Sequence, residues 1–223
     1  MSPRGYLSYS QMKLIEESPS NYRKVYFEGG TMPINRGMAF GTMVAQFLEK
    51  GKLTGDPKLD YLLHVVPKYR DMEYKMKASL KTKNGYVPLL AKMDSYHRLN
   101  FRILEYKTGE TPWTQKMADD NDQLTFYATV LYLQKEVFPE AMALVYIPTE
   151  KDETGNTRVK GFFQIFPTSR NMAQILKMGS RMEKAWGMIN DLYDQHLTGD
   201  LITPKDDHEE VLKEIKKDFK LTT

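Results

Sequence analysis

Between Leu89 and Gly109 the chain carries two apolar runs on either side of a short turn at Leu99-Asn100, and both runs hold charge. Asp94 sits inside the first run, and Glu105 and Lys107 close the second. On a strand, residues two apart point to the same face, so Glu105 and Lys107 project together. If the two runs pair as a hairpin, Asp94 lies beside them. This stretch fixes a piece of sheet and gathers three charged groups at its end.

Two carboxylates and a lysine at a sheet end suit a magnesium-dependent phosphodiesterase. Hard oxygen ligands hold such an ion, and the ammonium sits near the attacked phosphate. Asp94 followed by Glu105-x-Lys107 resembles the motif of the PD-(D/E)xK nuclease superfamily, with Met93 where the motif has proline. Three other stretches resemble RecB-type nuclease domains, in the same order. They are the opening Leu7–Phe27, the Gly-Thr-x-x-His-x-x-x-Glu helix at Arg36–Gly51, and the Gln-x-x-x-Tyr helix at Gln123–Leu133. The resemblance covers roughly residues 7–170. One departure stands out: Ala45 occupies the position of the histidine.

In chain order, Ser8 is a helix N-cap before Tyr9–Glu17, and Ser18-Pro19 starts a second helix ending at Phe27. A third helix spans Arg36–Lys50, with Phe40, Val44, Phe47 and Leu48 as its apolar stripe. Residues 59–69 read as a helix interrupted by Pro67. Residues 73–83 read as a strand, Asn84-Gly85 as a two-residue hairpin turn, and residues 86–97 and 101–107 as two further strands. Residues 109–122 form a loop holding Trp113, and residues 123–135 a helix. Two strands follow at 141–147 and 159–166, then a long amphipathic helix from Asn171 to about His196. A charged helix begins at Thr203-Pro204. The expected architecture is α/β: a central mixed sheet of roughly five strands with helices on both sides. The resemblance implies the restriction-endonuclease-like core. The domain expectation is 1–200 for that unit, with 201–223 as an appended C-terminal helix.

The resemblance implies a site as well. Asp94 and Glu105 would hold Mg2+ or Mn2+, completed by the Tyr106 carbonyl and water. Lys107 would orient or activate the attacking water, with Gln123 and Tyr127 positioning it. Glu49, one helical turn from Ala45, either reaches the ion or is a surface charge before Gly51. Lys75, Lys77, Lys81, Lys83 and Lys92 form either a basic wall for DNA or a solvated sheet face. Arg36 is a further DNA contact, and Trp113 either stacks on a base or plugs the loop. The implied activity is metal-dependent DNA cleavage, most simply by an exonuclease acting on ends in recombination, repair or phage DNA processing. The alternative is a DNA-binding scaffold that has kept the fold, for which Ala45 is the main support.

A formal net charge of +3 permits nucleic-acid binding without requiring it. With no cysteine in the chain, an iron–sulfur cluster and thiolate zinc are excluded. That separates it from relatives closed by a four-cysteine cluster. No signal peptide or membrane-length apolar run is visible, so the expected location is cytoplasmic, in a bacterial or phage-infected cell. The C-terminal helix would serve a recombination or single-strand-binding partner, or self-association.

Overall fold

A computed structural model describes residues 4–31 and 36–199. The helix expected from Thr203, the 201–223 segment and the docking role given to it lie outside these residues. The described elements run α1 (Tyr9–Glu17), α2 (Pro19–Tyr26), α3 (Arg36–Lys50), α4 (Pro57–Val65), β1 (Asp71–Thr82), β2 (Gly85–His97), β3 (Arg102–Gly109), α5 (Gln115–Asp119), α6 (Asp122–Lys135), β4 (Ala141–Lys151), β5 (Thr157–Val159), β6 (Gln164–Thr168) and α7 (Met172–Thr198). No helix among them is long and apolar enough to cross a membrane.

The sheet has six strands. β1, β2 and β3 form an antiparallel meander, and β3 then pairs in parallel with β4. The return between β3 and β4 is made through α5 and α6, as parallel pairing requires a crossover. One expected strand is two: β5 and β6 both pair with β4, and Gly161 at φ +79° breaks the run between them. The hairpin turn also falls one residue early. Thr82 pairs with Gly85, so Lys83 and Asn84 form the loop. The Thr82 hydroxyl closes it by accepting from the Asn84 N–H and donating to the Gly85 carbonyl.

Two cores lie on opposite faces of the sheet. One is built from α1, α6 and α7 against Met76, Leu89, Ala91, Met93, Ile103 and Leu144. The other packs α3 and α4 against Leu104, Val145 and Ile147. Helix α6 is buried continuously from Leu124 to Leu131, so it is a core helix with no solvent stripe. Its polar N-terminal turn is left to face the sheet end. Leu7 inserts beside β2, with its N–H donating to the Pro88 carbonyl and its carbonyl accepting from Leu90. That bridge delivers α1 to the edge of the same region.

Arg170 fixes the start of α6. It is 7% exposed and donates to the Thr125 and Thr168 hydroxyls and to the Ser169, Ala118 and Asn121 carbonyls. Arg170→Leu removes several charge-assisted bonds at once and leaves buried acceptors unpaired. The expected cost is about 3 kcal/mol, read as a lower denaturant midpoint. A variant as stable as the parent would show that these contacts contribute little.

Candidate active site

The site lies where β2 and β3 part. Their ladder consists of Ser95↔Leu104, Tyr96↔Ile103 and His97↔Arg102, and no pair follows beyond Ser95. At the next step the Asp94 carboxylate replaces the missing backbone partner: its Oδ2 accepts from the Tyr106 N–H at 2.9 Å. A strand residue sends its N–H and C=O to the same side. The Tyr106 carbonyl therefore also leaves β3 on the side facing Asp94.

Glu105 and Lys107, two residues apart, meet directly. Lys107 Nζ donates to Glu105 Oε1 at 2.7 Å and to Gln123 Oε1 at 2.7 Å. Gln123 Nε2 donates to the Tyr127 hydroxyl at 2.7 Å, which donates to the Lys92 carbonyl at 2.6 Å. The direction of this chain follows from its first member. Lysine can only donate, so the amide oxygen faces it and the amide nitrogen must face Tyr127. Burial, then the nearby Glu105 and Asp94 charges, hold the Tyr127 phenol well above its usual range, so it remains a donor.

Glu105 carries the strongest electrostatic load. Its side chain is 2% exposed. Burial, and next the charge of Asp94, push its carboxyl up to about 8, against the opposing pull of Lys107. Its Oε1 is engaged by Lys107, whereas Oε2 is buried with no hydrogen-bond partner. An orphaned buried carboxylate oxygen beside a second carboxylate is a poor arrangement for two anions alone and a good one for a hard cation. Asp94, Glu105 and the Tyr106 carbonyl are all oxygen donors, and so fit Mg2+ or Mn2+. Among the described residues, no three His, Cys, Asp or Glu side chains are already gathered closely enough to hold an ion.

A cleft of about 590 Å³ opens at Asp94, walled by Ser8, Tyr9 and Lys13 of α1 and its cap, Tyr26 of α2, and Glu73, Lys92, Gln123 and Tyr127. A smaller cavity behind it joins Asp94, Glu73, Tyr106 and Thr108 to Gly41 and Ala45 of α3. Gly41 faces β3 there, with room for a Cβ at an ordinary 3.4 Å contact from the Thr108 hydroxyl.

The structure brings Asp94, Glu105, Tyr106, Lys107, Gln123 and Tyr127 together. Glu49 pairs with Lys50 at 3.7 Å and has no contact with them. Trp113 is half-buried against the core on the α6 side. Arg36 opens α3, and its side chain lies outside the described part. Lys75, Lys77, Lys81 and Lys83 are exposed, as is Lys92, which stands opposite Lys75 in the register and pairs with Glu73. Alternation sends Met76, Ala78 and Leu80 towards the core, so the lysines of β1 share the face that carries Asp94 and Lys92. Glu73 is the residue that sequence spacing passes over. It reads only as the start of a strand, and its entry into both cavities depends on a cross-strand register.

Solved structures with the same fold include a candidate exonuclease from Eubacterium rectale, at 12% identity and TM-score 0.52, covering 85% of this chain and 83% of that one. An alkaline exonuclease, LHK-Exo, from Laribacter hongkongensis overlays at 13% identity and TM-score 0.47, covering 88% and 95%. A phage-related exonuclease from Haemophilus somnus does so at 12% and 0.47, covering 86% of each chain. No curated protein sequence matches this one. The six-stranded mixed sheet with helices on both faces is the restriction-endonuclease-like fold. The sequence model of PD-(D/E)XK nucleases matches residues 6–221, nearly the whole chain. Together with the Asp94, Glu105 and Lys107 constellation at the parting of β2 and β3, this places the protein in the PD-(D/E)XK nuclease superfamily.

Proposed function

We propose that the protein is a Mg2+- or Mn2+-dependent deoxyribonuclease that hydrolyses phosphodiester bonds, and that it works on DNA ends as an exonuclease. The observation that carries the reading is the buried Glu105 with one oxygen on Lys107 and the other unpartnered beside Asp94. Asp94, Glu105 and the Tyr106 carbonyl would hold the ion. When bound, it acidifies a water and polarises the phosphoryl oxygen. Lys107 has three N–H groups, and Glu105 and Gln123 engage two. The third is left for the attacking water or a phosphate oxygen, where it counters charge growing on the pentavalent phosphorus. Gln123 and Tyr127 hold that ammonium in place through the Lys92 carbonyl. The end-resecting preference is supported by the three RecB-like segments and by the exonuclease name of the Eubacterium rectale protein sharing the fold. A non-cleaving scaffold would use the lysine row but has no need of the Lys107 chain.

Incubation with linear and covalently closed circular DNA, with Mg2+ or with EDTA, tests this directly. Degradation of linear DNA alone, stopped by EDTA, is the expected result. Nicking of circles would make the protein an endonuclease, and intact DNA in every tube would leave the scaffold. Asp94→Ala and Glu105→Ala are expected to reduce cleavage to background with the fold retained. Lys107→Ala should lose roughly 10²–10³-fold in rate while still binding the ion by calorimetry. Wild-type cleavage by either carboxylate variant would refute the site.

The Glu105 proton gives a pH signature. Its folded value of about 8 lies above the ordinary carboxylate value, so the metal-free folded state holds a proton that the unfolded chain releases. That contribution to stability is complete below a pH of about 4 and is lost as pH rises through about 8. Glu105→Gln imitates the protonated form. Its metal-free melting temperature should therefore gain on the wild type steadily from about pH 5 to about pH 9. Parallel curves would mean that Glu105 titrates normally.

The lysine row makes a separate prediction. Phosphate contacts release counterions, so log affinity falls with log salt by about 0.9 per contact. Replacing Lys75, Lys77, Lys81 and Lys83 with Gln should flatten the slope by up to that amount for each lysine engaged. An unchanged slope would assign the row to solvent.

A further inference from the structure

Glu73 and Asp94 are the acidic residues that line both cavities of the site. The pairs Met72↔Ser95 and Tyr74↔Met93 bracket Glu73 and Asp94, setting the two opposite each other across β1 and β2. Residues so placed share a face and lie within reach of one another. The Glu73 backbone is at φ +51° inside a strand. A glutamate persists there only where its surroundings over-determine it, and such positions cluster at functional sites. The side chain is 18% exposed, its Oε2 is buried, and the Lys92 ammonium is its counter-charge. Across the smaller cavity stands Ala45, which offers no donor. A second sign of a missing ligand lies next to Asp94: Glu105 Oε2, buried and unpartnered.

We infer that Glu73 is the third carboxylate of the cation site, reaching the ion directly or through one water, with Lys92 as the charge that keeps it in the cleft until the ion arrives. The inference rests on the metal-dependent reading above. Glu73, Asp94 and Glu105 bring three carboxyl groups to one place, with Lys107 on Glu105 and Lys92 on Glu73 as the cations in contact. Lys92 supplies one compensating charge. A divalent ion supplies two and has the better geometry for oxygen ligands. On its arrival Lys92, more than half exposed at 57%, is released towards solvent on the face carrying the lysine row. Ion binding then adds a cation to the surface offered to a phosphate backbone.

The test is Mn2+ titration of the full chain by calorimetry, without DNA, so that its readout is affinity. Wild type should bind and Asp94→Asn should lose binding. Glu73→Gln should weaken binding roughly 10–100-fold, and Lys92→Met should tighten it. Glu49→Gln should bind as the wild type. If Glu73→Gln lowers the metal-free melting temperature, Glu73→Gln with Lys92→Met removes both charges together and should bind more weakly than Lys92→Met alone. Wild-type affinity in Glu73→Gln, alongside loss in Asp94→Asn, overturns the role of Glu73 and leaves the nuclease reading standing. Loss in Glu49→Gln with none in Glu73→Gln assigns the third carboxylate to Glu49 and equally overturns it. No binding by the wild type, or undiminished binding by Asp94→Asn, overturns the metal site itself.

Discussion

The hydrogen bond from the Tyr106 N–H to Asp94 is the point on which the site turns. A sheet whose strands separate must supply partners for the backbone groups it exposes, since an unpaired buried amide costs about as much as a lost hydrogen bond. Here a side chain provides one. Asp94 allows β2 and β3 to part after Ser95 and Leu104 without leaving that N–H orphaned. The gap so created is filled from two sides, by Leu7 and α1 against β2 and by the first turn of α6 against β3. Had the ladder continued, Glu105 and Asp94 would be consecutive cross-strand neighbours in a closed sheet, with no cleft above them.

Electrostatics explains why Lys107 and the α6 residues accompany that opening. A carboxylate as enclosed as Glu105 resists ionisation, and Asp94 makes it harder. Lys107 partly offsets this through a short contact, and its position is held by a neutral amide rather than by a third acid. A carboxylate in place of Gln123 would neutralise Lys107 and reduce its attraction for a phosphate. Gln123 orients the ammonium without cancelling it, and Tyr127 orients Gln123 without adding charge. Arg170 holds the start of α6 from the opposite side, so the geometry is fixed by core contacts that never reach the cleft.

The parts readable from the sequence are those set by short-range periodicity. Glu105 and Lys107 share a face because strands alternate, and Gln123 and Tyr127 share one because helices repeat near four residues. Caps at Ser8 and Ser18 locate helix starts to within a residue. What escaped depends on three-dimensional register. The two-residue reading of Asn84-Gly85 fails by one position because the Thr82 hydroxyl, a side chain outside the motif, closes the turn. The split of β5 from β6 turns on one glycine adopting a positive φ. Glu49 looks suited to the cleft when α3 is considered alone, one turn beyond Ala45. The packing of α3 on β3 through Gly41 brings Ala45 to the cavity and leaves Glu49 beside Lys50. Glu73 could be identified only by placing β1 against β2.

The same register bears on how DNA would meet the cleft. The exposed face of β1 and β2 carries Lys81, Lys77 and Lys75 in line towards Lys92, and the next residues on that face are Asp94 and Glu73. A strand rises 3.2–3.4 Å per residue, so alternate lysines on one face are spaced about 7 Å apart, close to the separation of successive phosphates in a nucleic-acid backbone. A chain laid along this face would meet cations at Lys75 and Lys77, with a gap at Ser79 before Lys81, until it reaches the carboxylates. There the sign of the surface reverses, and only a bound cation could continue the contact. A surface of this kind favours a strand running along the hairpin with its reactive phosphate at the split between β2 and β3. The hairpin's reach beyond the core, and not the site alone, would then set how much nucleic acid the protein engages.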